Sequence, residues 1–139
     1  MSDFAPPNRQ RPVISAVAAE LFVSDIQKSC AFFTDKLGFT VVYTYGDPPF
    51  CGQVKRDAAR LNLKHMDQPV IDPELREREQ LLSADMGVDT ADEIEQLYLE
   101  FQKAGVDFQQ TLMRQPWGAK NFVVRDPDGN LLLFAGPAD

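Results

Sequence analysis

The sequence is poor in the side chains on which metal centres and disulfide frameworks depend. It has one histidine, His65, and two cysteines, Cys30 and Cys51, in 139 residues. Two cysteines make neither a disulfide framework nor a zinc motif. One histidine excludes, within one subunit, an iron site of two histidines and one carboxylate. The chain also lacks a run of about 20 apolar residues, the length that a membrane-spanning helix needs.

Basic residues are also few, with 14 Lys and Arg against 21 Asp and Glu and a formal net charge of −7. Binding to a phosphate backbone depends on clustered Lys and Arg, so we expect no nucleic-acid partner, and no membrane partner. The acidic balance permits a cationic ligand. The first residues show no basic stretch followed by an apolar one. We therefore expect no secretory signal, a cytoplasmic location and a mobile tail over residues 1–12.

A strand–helix–strand pattern occupies the first half of the chain. Alternation over Val13–Val23 predicts a strand whose core face includes Val17. Ser24–Gln27 has the Ser-x-x-Gln spacing of a capping box, and apolar residues then recur at helical spacing. Gly38 is typical of a helix end. Further strands are predicted over residues 39–45, 52–55 and 58–63.

The second half repeats this pattern. Residues 82–88 alternate as a strand does, Thr90–Glu93 forms a second capping box, and Gly105 follows the second apolar stripe. Further strands are predicted over residues 106–113, 121–125 and 131–134.

The two patterns lie at a constant offset. The cap residues Ser24 and Thr90 are 66 positions apart, and the closing glycines Gly38 and Gly105 are 67 apart. This agreement indicates an internal duplication within one domain over residues 13–139, a length that supports a proper core. The expected parts are module one over 13–64, a linker with a short helix near 73–80 over 65–80, and module two over 81–136.

Several short segments, in this order, resemble the glyoxalase / bleomycin-resistance / extradiol-dioxygenase superfamily, also called vicinal oxygen chelate proteins. The first three resemble its first module, and the last two resemble its closing strands. They are Val23–Ile26, Phe32–Phe33, Leu37–Phe39, Pro116–Gly118 and Asp126–Leu131.

The resemblance implies an α+β fold of two βαβββ modules. Their curled mixed sheets would surround a concave cleft, with helices on the outer faces. It also implies a homodimer in which the partner completes the cleft. Because the superfamily contains both metal enzymes and metal-free binding proteins, the donor side chains decide between the two.

Metal enzymes of the superfamily hold a divalent ion with His and Glu at four cleft-facing strand positions. By the resemblance, these positions fall at Ala18, Asn62, Ser83 and Leu133. Alanine and leucine have no donor atom, and asparagine and serine are weak neutral ligands. We therefore predict no metal and no cofactor, although a slip of two residues would bring Glu20 or Asp85 into line. His65 is interpreted as a surface or strand-end histidine without a partner.

Alternation assigns polar side chains to the cleft independently of the resemblance, because their neighbours in sequence are apolar. The candidate ligand-binding residues on the strands are Glu20, Arg60, Asn62 and Asp85. Leu131 and Leu133 are predicted to supply an apolar floor. In the alternative interpretation, Glu20 simply pairs with Arg60 or Lys64.

Two aromatic residues are further candidates for ligand binding. Trp117 lies between Pro116 and Gly118, and Phe50 lies in a predicted Pro-Pro-Phe-Cys loop, so neither follows a core periodicity. Both rings could stack on a planar or cationic ligand. Alternatively, each ring plugs the apolar end of its sheet.

These observations favour a metal-free small-molecule-binding protein that resembles the drug-sequestering bleomycin-resistance proteins. Its ligand would be planar or cationic. The alternative is a glyoxalase-type lyase or a dioxygenase with a nonstandard metal site that includes Glu20 or Asp85. A third hypothesis is a module that binds a protein partner or an effector without chemistry. The sequence therefore favours binding over catalysis and does not exclude an enzyme.

Overall fold

The computed structural model describes residues 11–139, so the predicted tail over residues 1–12 lies almost wholly outside the described residues. Within 11–139, no helix is long and apolar enough to cross a membrane. The helices are α1 Ile26–Leu37, α2 Pro73–Glu79 and α3 Ala91–Lys103. The strands are β1 Ala19–Val23, β2 Thr40–Gly46, β3 Pro49–Arg56, β4 Ala59–His65, β5 Leu82–Gly87, β6 Phe108–Arg114, β7 Ala119–Arg125 and β8 Leu131–Pro137.

The strands form two four-stranded sheets with the same topology. One has the order β1-β4-β3-β2 and the other the order β5-β8-β7-β6. In each sheet the first strand pairs in parallel with the last strand of its module, and the other pairs are antiparallel. The sheets are therefore mixed and open. This confirms the α+β fold of two βαβββ modules.

Helix α1 begins one residue later than predicted. Asp25, in extended conformation, is the N-cap, and its side chain accepts a hydrogen bond from the Lys28 N–H at 3.0 Å. The predicted capping box at Ser24 is therefore wrong. The Ser24 N–H instead donates to Asp128 Oδ1 in the other module, also at 3.0 Å. Gly38 ends the helix with a φ of 71°, as predicted, because glycine adopts this left-handed conformation without strain.

The N-cap predicted at Thr90, at the start of α3, is confirmed. Thr90 Oγ1 accepts the Glu93 N–H at 3.1 Å, and the Thr90 hydroxyl donates to Glu93 Oε1 at 2.9 Å, in place of the backbone bond that would complete a capping box. The closing glycine Gly105 has a φ of 75°. With Asp25 as the first cap, the two caps are 65 positions apart, and the closing glycines are 67 apart. The duplication therefore holds with a two-residue difference in the distance from cap to closing glycine.

One face of each sheet is buried against the helices. In β1 the core residues are Leu21 and Val23. The predicted core residue Val17 is 87% exposed and precedes the strand. The reason is that the parallel ladder with β4 begins only at Ala19, which is opposite Leu61. The remaining core comes from alternating strand residues and from the stripes of α1 and α3: Ile26, Cys30, Phe33, Leu37, Val54, Leu61, Leu63, Ile94, Phe101, Phe122, Val124, Leu132 and Phe134.

Helix α2 belongs to the segment expected to be a linker, and the structure confirms a helix there. Asp72 is its N-cap and Pro73 occupies the first turn, where a missing N–H costs nothing. Arg76 is buried, and its guanidinium donates to Asn130 Oδ1 at 3.1 Å and to the Asp128 carbonyl at 2.9 Å. These contacts attach α2 to the β7–β8 turn of module two.

Candidate functional site

Four polar side chains form a hydrogen-bonded row across β1, β4 and β3, on the sheet face turned away from α1. Asn62 lies opposite Glu20 on one side and opposite Gln53 on the other. Asn62 Nδ2 donates to Glu20 Oε2 at 3.1 Å, and Gln53 Nε2 donates to Asn62 Oδ1 at 2.7 Å. Arg60 Nη1 donates to Gln53 Oε1 at 3.0 Å. We call these four residues the module-one polar row.

The polar row brings together three of the predicted site residues. It also shows that Glu20 pairs directly with neither Arg60 nor Lys64 among the described residues, since its carboxylate is reached through the Asn62 amide. The row holds a carboxylate at one end and a guanidinium at the other, and the bonds between them fix the orientation of both amides. Sequence reasoning missed Gln53. Alternation from the core residue Val54 would have placed it on this face.

Asp85 reaches the same region from module two. It is exposed and lies opposite Leu133 in the ladder between β5 and β8. A groove of about 400 Å³ at the junction of β1, β4 and β5 is lined by Asp85 and Arg60, and also by Ala18. Four of the six predicted site residues are thus connected, three through the polar row and Asp85 through this junction groove.

The two aromatic candidates lie at the ends of different hairpins. Trp117 is in the β6–β7 turn, as predicted, and is 72% exposed. Phe50 is the second residue of β3 rather than part of a loop, because the turn before it consists only of residues 47–48. The ring of Phe50 contacts Tyr45 edge to face, with 5.5 Å between centroids. Both rings are exposed. Alternation along β3 places Phe50 on the side of Gly52 and Val54, which faces α1, and not on the side of the polar row.

The donor side chains in this region do not fit a divalent metal of the kind that the resemblance implies. Glu20 lies opposite Asn62 in the β1–β4 ladder, and Asp85 lies opposite Leu133 in the β5–β8 ladder. These two carboxylates are two residues beyond Ala18 and Ser83, the positions that the resemblance implies for metal ligands. Leucine has no donor, and the Asn62 amide already bonds to two neighbours. Among residues 11–139, no group of three or more His, Cys, Asp or Glu could hold a metal ion.

His65 is the last residue of β4, as interpreted from the sequence. It does have a partner, which corrects the expectation that it has none. Its Nε2 lies 3.4 Å from Asp67 Oδ1, and both side chains are solvent-accessible. The pair lies just beyond the strand end, and sequence alone does not show that the chain turns back there.

Helix α2 partly covers the corresponding face of module two. Glu77 forms a bidentate ion pair with Arg125, with both distances 2.9 Å. The Arg125 guanidinium lowers the pKa of Glu77 through this hydrogen bond, and Glu77 raises the pKa of Arg125. Gln80 donates to Gln109 and Gln110. Leu131, which lies opposite Arg125, is fully buried, so the prediction that it lines an open cleft is wrong.

The β7–β8 turn, Asp126–Asn130, connects module two to module one. The Asp126 carboxylate accepts hydrogen bonds from two backbone N–H groups, those of Asp128 and Asn130, and from Asn130 Nδ2. Burial nevertheless raises the pKa of Asp126 to about 6, against the opposing effect of these bonds. Asn130 Nδ2 also donates to the Phe22 carbonyl at 3.1 Å. This turn therefore holds the end of β1, the strand that carries Glu20.

The sequence matches the Glyoxalase/Bleomycin resistance protein/Dioxygenase superfamily over residues 14–134. Since this match spans most of the chain, the protein belongs to that superfamily. No protein of curated function matches the sequence significantly.

Solved structures of the superfamily share the fold at low identity. A glyoxalase/bleomycin resistance protein/dioxygenase from Alicyclobacillus acidocaldarius is 19% identical, with a TM-score of 0.71 and coverage of 93% of this chain and 96% of that one. The bleomycin-binding protein of Streptomyces verticillus, solved with copper(II)-bleomycin, is 20% identical, with a TM-score of 0.65 and coverage of 88% and 96%. A bleomycin resistance determinant encoded on transposon Tn5 is 18% identical, with a TM-score of 0.67 and coverage of 88% and 98%.

Proposed function

We propose that the protein is a metal-free small-molecule-binding protein that sequesters a planar or cationic compound, as drug-binding members of its superfamily do. The observation that carries the proposal is the polar row. At the position where the resemblance implies a metal ligand in β4, Asn62 instead bonds to Glu20 and Gln53. The row presents oriented hydrogen-bonding groups, and small-molecule sites use a few such groups to orient a ligand.

Exposed aromatic side chains support a planar or cationic ligand. Tyr45, Phe50 and Trp117 are 68%, 53% and 72% exposed. Rings of this kind stack on flat molecules and attract cations through their faces. The net charge of −7 favours approach of a cation. We assign Trp117 to ligand stacking, and Glu20, Arg60, Asn62 and Asp85 to polar contacts. Phe50, on the α1 side of its strand, would stack on a ligand of the partner subunit across the proposed dimer interface.

We propose further that a homodimer completes the cleft. Every residue of β2, an edge strand, is exposed, and its apolar side chains include Val41, Val42 and Tyr43. Ile14 and Val17, before β1, are also exposed. An exposed edge strand with neighbouring apolar side chains is a template for pairing with another chain. Sedimentation at micromolar concentration should give twice the mass of the chain, and a monomer throughout would contradict this part of the proposal.

Calorimetry with bleomycin-type glycopeptides and with flat aromatic antibiotics tests the binding function. The variant Asn62→Leu gives β4 the side chain that β8 has at Leu133, and it removes the centre of the polar row. We expect about tenfold weaker binding, because one polar contact of this kind contributes about 1–2 kcal/mol. Leu99→Ala, on the exposed side of α3, is the control and should bind normally. Absence of binding across the panel would contradict the proposal.

A metal-dependent lyase or dioxygenase is the second candidate function. It is favoured by the two carboxylates, Glu20 and Asp85, that the ladders place in line with Asn62 and Leu133. Elemental analysis of protein purified without chelator separates the two functions. One equivalent of a divalent metal that is lost in a Glu20→Gln, Asp85→Asn double variant would establish this candidate and overturn the metal-free proposal.

A further inference from the structure

A groove of about 440 Å³ opens on the helix side of the molecule, between α3 and the β3–β4 turn. Its accessible floor is apolar and is formed by the half-buried side chains of Met86, Val88 and Leu97. The buried rings of the lining, at most 4% exposed, lie beneath it: Phe39, Phe101 and Phe134. The volume lies within the range of small-molecule sites. No residue of the polar row lines this groove, which adjoins the junction groove at residues 58–59 and 86–87.

The groove exists because the two modules have turns of different length. In module two, residues 126–130 separate β7 from β8, and Asp128 of this turn bonds to the Ser24 N–H at the start of α1. In module one, only Asp57 and Ala58 separate β3 from β4. Among the described residues, this two-residue turn makes no hydrogen bond to the start of α3. The space that the longer turn fills in one module stays open in the other.

The rim of the groove is acidic. Arg56, the one cation among the described lining residues, already donates two hydrogen bonds to Glu100, one of them at 3.1 Å, and one to the Leu37 carbonyl at 2.8 Å. Glu100, Asp57 and Glu93 supply three carboxylates against this single guanidinium. The Asp57 carboxylate makes only a distant ion pair, 4.0 Å from Arg56 Nε. Glu93 forms no ion pair in the described part of the chain. The rim therefore carries a net negative charge above an apolar floor.

We propose that this helix-side groove is a second binding site, for a small apolar molecule that carries one cationic group. The hydrocarbon or aromatic part lies on Met86, Val88 and Leu97, and the cation lies at the rim near Asp57 and Glu93. Apolar contact supplies most of the affinity, and the rim carboxylates supply the preference for a cation. The site does not depend on the function proposed for the cleft.

An NMR titration of the full chain with phenethylammonium tests this site, with 2-phenylethanol as the neutral probe of the same shape. We expect the amide signals of Val88 and Leu97 to shift with both probes. The affinity for the alcohol should be about three- to fivefold lower than that for phenethylammonium, which is the effect of one rim charge. The indole signal of Trp117, which is in the β6–β7 turn and does not line the groove, should stay unchanged. Equal affinity for the two probes, or shifts confined to Trp117, would overturn the proposal.

Two variants locate the site. Glu93→Gln keeps an oxygen that accepts the Thr90 hydroxyl hydrogen bond. It should reduce the preference for the cation, since one of the three rim carboxylates is lost, while leaving the alcohol unaffected. Gln96→Phe fills the mouth of the groove and should abolish the binding of both probes. Gln102→Phe, the same substitution on α3 outside the groove, is the matched control. Groove signals that respond to protein concentration and not to either probe would show instead that a second copy covers the groove, which contradicts the proposal.

Discussion

The two modules have the same strand order but differ in what covers their sheets. In module one, the face turned away from α1 is open and carries the polar row from Glu20 to Arg60. In module two, α2 reaches the corresponding face through Glu77 and Gln80, and Leu131 is fully buried. The two modules therefore present one open face, which carries the polar row, and one face that α2 partly covers.

The largest expected effect comes from removing the Arg76 contacts that attach α2 to the β7–β8 turn. The variant Arg76→Met removes the donor to the Asp128 carbonyl and leaves the buried Asn130 Oδ1 with only the longer bond from the Ser83 hydroxyl, at 3.4 Å. We expect the free energy of unfolding to fall by about 3 kcal/mol, measured by urea denaturation. Arg78→Met on the same helix, where the side chain is exposed and contacts only Glu79 among the described residues, is the control. It should cost less than about 0.5 kcal/mol, and equal losses would show that α2 does not hold module two.

The second prediction concerns Asp126, whose pKa is raised to about 6 by burial from an ordinary value of 3.8. Between pH 4 and pH 6, the folded state keeps a proton that the unfolded state has lost. This residue's contribution to stability is therefore largest below pH 4 and falls as the pH rises to about 6, by about 2–3 kcal/mol in total.

The variant Asp126→Asn should abolish this decline, as measured by urea denaturation at steps between pH 4 and pH 7. Asp89→Asn, at an exposed position that makes no ion pair among the described residues, is the control and should keep the slope of the parent protein. A variant that retains the full decline would show that Asp126 does not titrate in this window.

The smallest expected effect on the free energy of unfolding concerns the N-caps of α1 and α3. Asp25→Ala removes the N-cap of α1, and Thr90→Ala removes that of α3, so each should lower the free energy of unfolding by about 1 kcal/mol. Ser24→Ala should change it by less than about 0.5 kcal/mol, because Ser24 contributes its backbone N–H and not its hydroxyl. A loss at Ser24 as large as that at Asp25 would restore the capping box predicted from the sequence.

Most of the architecture could be predicted from the sequence, because it depends on local signals. Alternation located the strands, apolar stripes located the helices, and Gly38 and Gly105 marked the helix ends. The errors lie where a distant partner decides the outcome. Val17 continues the alternation but has no neighbouring strand, and Ser24 gives its backbone N–H to Asp128, 104 residues away.

The candidate site was predictable only in part. Alternation identified Glu20, Arg60 and Asn62, and the structure connects them, but through Gln53, which sequence reasoning overlooked. The burial of Leu131 depends on α2, whose charged sequence gave no sign that it would lie against module two. Arg76 and Glu77 look like ordinary surface residues in the sequence. They are specific only in combination with Asn130 and Arg125.

The short β3–β4 turn bears on how this chain can change over generations. The chain already contains, at residues 126–130, a segment of five residues that occupies the corresponding position in the other module. An in-frame insertion of a few codons after Arg56 would lengthen the turn toward α3 and occlude the helix-side groove without altering any strand. Retention or loss of the groove can therefore evolve independently of the cleft.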